Sequence, residues 1–117
     1  MRDSTVYRIC PRDAWRAAEA RGAFEGAAQD RRDGYIHLSR ATQVAGSAAR
    51  HYGGQAGLVL LTVDARTLGA ALRWEPSRGG DLFPHLYGAL PVAAVRACRD
   101  LPLGADGRHV IPPLDGA

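Results

Sequence analysis

Residues able to do chemistry cluster in three short segments. The first, Gly34-Tyr35-Ile36-His37-Leu38-Ser39, sets a histidine two residues after a tyrosine and two before a serine. On a strand, alternate positions share a face, so Tyr35 and His37 point one way and Ile36 and Leu38 the other. Ser39 stands where a helix cap belongs. His37 would then lie beside the free N–H groups of a helix start, a place suited to an anion, with the Ser39 hydroxyl as a further donor. A plainer reading competes with this one, in which His37 bonds to a neighbouring loop and Ser39 only caps the helix.

The second segment is Arg73-Trp74-Glu75. As a strand it turns Arg73 and Glu75 to one face and Trp74 to the other. The guanidinium would clamp a phosphate or carboxylate with Glu75 orienting it, or the two would form an ion pair beside a core tryptophan. The third segment, Phe83-Pro84-His85-Leu86-Tyr87-Gly88, puts an imidazole and a phenol on one face. With His37, this makes general acid–base machinery near neutral pH. His51 and His109 fall at a helix end and in the tail, and read as surface residues. No two histidines stand at a chelating His-x-His or His-x3-His spacing, so metal binding is not expected. No Gly-x-Ser-x-Gly, Gly-x-Gly-x-x-Gly or Cys–His pairing supports a hydrolase or a dinucleotide fold.

The composition removes further mechanisms. All 15 basic residues are arginine, against 12 acidic ones, for a formal charge of +3. Without lysine there is no Schiff base and no Walker-type phosphate loop. The arginines lie beside acids (Arg2–Asp3, Arg12–Asp13, Arg99–Asp100), so no basic block forms and nucleic-acid binding is not expected. No run approaches the ~20 apolar residues of a membrane span. Met-Arg-Asp-Ser leads into a strand-like run rather than a signal peptide, so a cytoplasmic protein is expected, with Cys10 and Cys98 as buried, reduced thiols. At 117 residues the chain is the size of one domain, with a core over about 4–100 and an extended tail over 101–117.

These segments need elements to position them. Residues 5–10 read as an edge or half-buried strand ended by Pro11, and 13–21 as a helix stopped by Gly22. Residues 23–33 read as a surface loop running into an Asp33-Gly34 turn. A helix follows from Ser39 to near Tyr52, closed by Gly53-Gly54. The apolar run 58–63 predicts a strand covered on both faces at the centre of the sheet. A capped turn over 64–68, a strand at 72–75, a loop at 76–81 and a last strand at 92–98 complete the pattern. Strands and two main helices without regular βαβ alternation indicate an α+β domain with a mixed or antiparallel sheet.

The order of motifs resembles a small bacterial family, domain of unknown function 952. The resemblance rests on Val6-Tyr7-Arg8-Ile9-Cys10 with Trp15, the run from Asp33 to Ser39 with Gln43, and Gly54-Gln55 before Leu58–Asp64. It extends through Leu72-Arg73-Trp74-Glu75, the run from Phe83 to Gly88, Asp106-Gly107 and Pro112. That family is grouped with ADP-ribosyltransferase-like folds, which implies a strand residue contacting NAD, a strand-to-helix motif shaping the nicotinamide pocket, and a later strand glutamate. By order Arg8 takes the first place, His37 and Ser39 the second, and His85 or Tyr87 the third. No glutamate stands in the third place, because the only late one, Glu75, precedes the Phe-Pro-His motif. ADP-ribosyl transfer onto protein is therefore not expected.

The resulting expectation is an enzyme or ligand-binding domain taking a nucleotide or other anionic small molecule, with the cofactor left open and NAD or another nucleotide as candidates. His37 and His85 are the catalytic candidates. Arg8, Tyr35, Ser39, Gln43, Arg73, Glu75 and Tyr87 are the ligand-binding candidates. The alternative is a non-catalytic accessory or interaction module, in which the histidines are enclosed and bonded to backbone with no cleft between them. A shared site requires His37 and His85 on one face of a sheet within about 12 Å.

Overall fold

The run 58–63 has no polar face to offer water, and it lies at the middle of a three-stranded sheet, as its composition predicts. A computed structural model describes residues 3–114. In chain order the elements are β1 (Thr5–Pro11), α1 (Arg12–Arg21), β2 (Ala23–Phe24), α2 (Ala28–Asp33), β3 (Ile36–His37) and α3 (Val44–Tyr52). There follow β4 (Leu58–Asp64), β5 (Leu72–Pro76), β6 (Leu82–Leu86), β7 (Leu90–Pro91) and β8 (Val95–Asp100). The sheets run β1-β4-β8, β2-β7 and β3-β6-β5, with every pairing antiparallel. The fold is α+β.

Side-chain alternation divides the core. Val6 and Cys10 of β1 join Val59, Leu61 and Val63 of β4 in one cluster, completed by Trp15 and Ala18 of α1. Tyr7, Ile9, Leu58 and Leu60 point the other way, against Val44 and Ala48 of α3. Both faces of the sheet are therefore covered. β1 is buried from Thr5 to Cys10 rather than half-buried, since a backbone bridge also protects its outer edge. Tyr7 and Ser39 exchange both N–H···O bonds, at 2.8 Å each. That bridge joins the first sheet to the end of β3.

α1 follows Pro11, carries Asp13 in its first turn and Arg21 in its last, and stops at Gly22 with φ +90°. Its extent matches the sequence reading. Residues 23–33, expected as a surface loop, instead hold β2 and α2, the latter closed by Gly34 at φ +88°. The strand expected at 92–98 begins at Val95, because Val92–Ala94 form a 3-10 turn. The tail packs in places: Leu101 is buried, and Ile111 and Leu114 lie against the second cluster. Cys10 is buried, but Cys98 is exposed on the edge strand β8, contrary to expectation. With β4 between β1 and β8, neither cysteine forms a disulfide. Among the described residues no helix is long and apolar enough to cross a membrane.

Candidate functional site

The central strand of the β3-β6-β5 sheet, β6, assembles the site. Its pairing sets His85 opposite His37 of β3 on one side and opposite Arg73 of β5 on the other. Because side chains alternate, Tyr35, His37, Phe83, His85, Arg73 and Glu75 share one face, with Tyr87 just beyond the strand end. The two imidazole rings lie 5.9 Å apart between centroids. Tyr35 stacks on His85 with centroids 4.0 Å apart and planes 25° from parallel, and reaches His37 at 4.7 Å.

Each histidine is held by carboxylate. His85 Nδ1 lies 2.7 Å from Glu75 Oε1, which also accepts a 2.8 Å bond from the Tyr87 hydroxyl. These bonds, from His85 first and then Tyr87, hold the Glu75 carboxyl below its ordinary range. With its Nδ1 proton on Glu75, the largely buried His85 keeps Nε2 for other chemistry. His37 has no such freedom. Its Nδ1 is 2.7 Å from Asp30 Oδ1 and its Nε2 is 2.9 Å from Asp33 Oδ2.

Asp30, only 3% exposed, is the most heavily bonded carboxylate of the site. It receives Arg8 Nη1 and Nη2 at 2.8 Å each, the His37 backbone N–H at 2.9 Å and the Ala27 N–H at 2.6 Å, besides the His37 ring. Burial opposes its ionisation, but the hydrogen bonds from His37 and Arg8 and the charge of Arg8 outweigh it. The carboxyl is held far below the usual range. Arg8 also donates from Nε to the Ile9 carbonyl at 2.9 Å and from Nη1 to the His37 carbonyl at 3.0 Å. Its guanidinium is thus committed within the protein rather than presented as an anion clamp.

Between these side chains and α3 runs a cleft of about 340 Å³. Arg8, Tyr35, His37, Ser39 and His85 line it. Ser39 does not cap a helix, because its backbone is engaged with Tyr7 and its hydroxyl pairs with Ser47 Oγ at 2.9 Å. The capping bond runs instead from the Arg40 N–H to Gln43 Oε1, at 2.9 Å. Gln43 does not line the cleft. Its Nε2 bonds the Leu82 carbonyl and pins the 3-10 turn Ala41–Gln43 to β6. Arg73, Glu75 and Tyr87 are not on the cleft wall, and Arg73 lies over the Tyr87 ring at 4.6 Å instead of pairing with Glu75.

Among the cleft residues that escaped the sequence reading are the charged side chains of Asp30, Asp33, Arg50 and Arg78. The run Ala28–Asp33 before Gly34 carried a usable signal, an acid in the first turn, arginines in the last and a glycine stop. His51, read as a surface residue, is exposed but also lines the cleft. Among the described residues no three His, Cys, Asp or Glu side chains group as metal ligands.

Residues 9–98 match the family model described as "Protein of unknown function (DUF952)". The crystal structure of protein CC0527 from Caulobacter crescentus is 51% identical with a TM-score of 0.88, over 91% of this chain and 93% of that one. The solution NMR structure of CC0527 is likewise 51% identical, with a TM-score of 0.81 over 91% of each chain. No curated protein matches.

Proposed function

The chain belongs to the DUF952 family, a protein family of unknown function, and for it we propose a ligand-binding cleft in which His85 is the acid–base group. Its ligand is an anionic small molecule of nucleotide size. The observation carrying this reading is His85 itself, covered by Tyr35, tethered through Nδ1 to Glu75 and lining the cleft. A carboxylate on Nδ1 fixes the tautomer, leaves Nε2 to accept a proton and stabilises the imidazolium that results. His37, with both ring nitrogens on carboxylates, is a positioning residue that orders Asp30, Asp33 and the Tyr35 platform.

An ADP-ribosyltransferase-like plan belongs to this reading, with NAD as its first ligand to test. Arg8 on the first strand, His37 and Ser39 at a strand-to-helix step and His85 on a later strand follow the order that plan implies. Glu75 precedes His85 in sequence, yet antiparallel pairing brings it beside that ring as a carboxylate. An accessory module would instead have enclosed histidines bonded to backbone. Here the imidazole nitrogens meet carboxylates beside a cleft, which favours ligand binding.

The test is a thermal-shift and calorimetric panel of NAD, AMP and small organic acids. Binding at a hundredfold excess over Kd adds about 2.7 kcal/mol of stability. One ligand class should raise Tm by several degrees, and Tyr35→Ala should abolish the rise. No shift with any class at millimolar concentration would sink the reading.

A further inference from the structure

The charges around the cleft do not cancel. Arg8 is matched by Asp30, and His37 lies between Asp30 and Asp33. Arg50 and Arg78 line the same cleft, and neither has a carboxylate within ion-pair distance among the described residues.

Their placement is specific. Gly46, Ser47, Arg50 and His51 lie on α3, where residues four apart sit one above the other, so Gly46 stacks with Arg50 and Ser47 with His51. Arg78 reaches across from the β5–β6 connection and lies against Gly46. A Cβ at Gly46 would meet Arg78 Nη2 at 3.2 Å, so the missing side chain makes room for the guanidinium. The same guanidinium lies over the Phe83 ring at 5.0 Å. Phe83 is two residues before His85 on β6, on the same face, so the ring that Arg78 covers belongs to a strand position about 7 Å from that of His85. The Ser39–Ser47 hydroxyl pair and Ser77 line the wall nearby.

We propose that Arg50 and Arg78, with the hydroxyls of Ser39 and Ser47, form a phosphate subsite displaced by one sugar-sized step from His85. Guanidinium groups bind phosphate through paired N–H donors, and a hydroxyl pair adds donors that carry no charge. The ligand is then a nucleotide or sugar phosphate whose reacting centre meets His85 while its phosphate meets the arginines. Both sources share that phosphate chemistry. His51 supports the arrangement from the side: burial, and then the charges of Arg78 and Arg50, lower its pKa. This assignment rests on the ligand-binding reading above and names the class of ligand.

Wild type and the double variant R50Q/R78Q would each be titrated calorimetrically with inorganic pyrophosphate, ADP, ribose 5-phosphate and adenosine. Circular dichroism melting would confirm that the variant folds. Pyrophosphate should bind wild type and bind R50Q/R78Q at least tenfold more weakly, while adenosine should not distinguish the two proteins. Tighter binding of ADP or of ribose 5-phosphate would identify the source of the phosphate. Equal pyrophosphate affinity in wild type and R50Q/R78Q, or none in wild type, overturns the subsite even if a nucleotide binds elsewhere in the cleft. Arginine-dependent pyrophosphate binding without any nucleotide or sugar phosphate binding upholds the subsite and overturns only the wider reading.

Discussion

Glu75 and His85 meet across the β5–β6 pair, with Oε1 and Nδ1 separated by 2.7 Å, although strict register sets Glu75 opposite Phe83 and His85 opposite Arg73. The contact is diagonal. Diagonal neighbours on a sheet stay within reach of long side chains, and the glutamate uses its length to get there. The same oxygen accepts from the Tyr87 hydroxyl, whose pKa rises because the bond holds its proton in place. One carboxylate oxygen thus orients two side chains of the site.

Replacing Glu75 with Gln should release the His85 tautomer. In wild type the neutral ring should carry its proton on Nδ1, and Glu75→Gln should move a substantial fraction to Nε2, read by ¹⁵N shifts of the imidazole. A turnover assay, once a substrate is found, should lose roughly 10²- to 10⁴-fold in kcat. An unchanged tautomer in the variant would refute the orienting role.

Removing Asp30 should cost stability. Arg8 would be left buried without its counter-ion, so Asp30→Asn should lower the unfolding free energy by about 3–5 kcal/mol, measured from urea midpoints. The acid response follows from the same carboxylate. Its folded pKa lies below the unfolded value of about 3.9, so its contribution is complete above that value and drains away as pH falls below it. Glu75 acts in the same direction, with less effect because it is more exposed. Wild-type Tm should therefore fall steeply from about pH 4 to pH 2, while Asp30→Asn, already less stable, should show a flatter profile. Parallel profiles would contradict the assignment.

Tyr35 shields His85. Tyr35→Ala should remove a stacked pair of about 0.5–1.5 kcal/mol and uncover the ring, so diethylpyrocarbonate should modify His85 several-fold faster than in wild type, read by peptide mass mapping. Equal rates would mean that the stack does not control access.

What could be read in advance follows what is local. The apolar run at 58–63, the Gly22 stop and the shared face of Tyr35 and His37 are consequences of periodicity and backbone chemistry, which sequence records directly. The α+β class followed from them. Asp30 was missed because its importance is tertiary. Nothing in Gln29-Asp30-Arg31 announces that Arg8, twenty-two residues earlier, will be buried against it. The same blindness made Arg8 look like a ligand-binding residue and Glu75 look misplaced, since sequence order does not reveal which strands will be neighbours. Ser39 resembled a cap until the Tyr7 bridge claimed its backbone.

The bridge between Tyr7 and Ser39 has a sequel in its register. In an antiparallel ladder the next rung would join Ile9 to His37, two residues on and two residues back. That rung is never made. The His37 N–H turns to Asp30, while the carbonyls of His37 and Ile9 both receive Arg8. The Tyr52 hydroxyl adds a second donor to Ile9. An ion pair is thus wedged into a seam that would otherwise zip shut, and the cleft opens where the two strands part. The Arg8 guanidinium, bonded to both carbonyls and to Asp30, occupies the place of the missing rung.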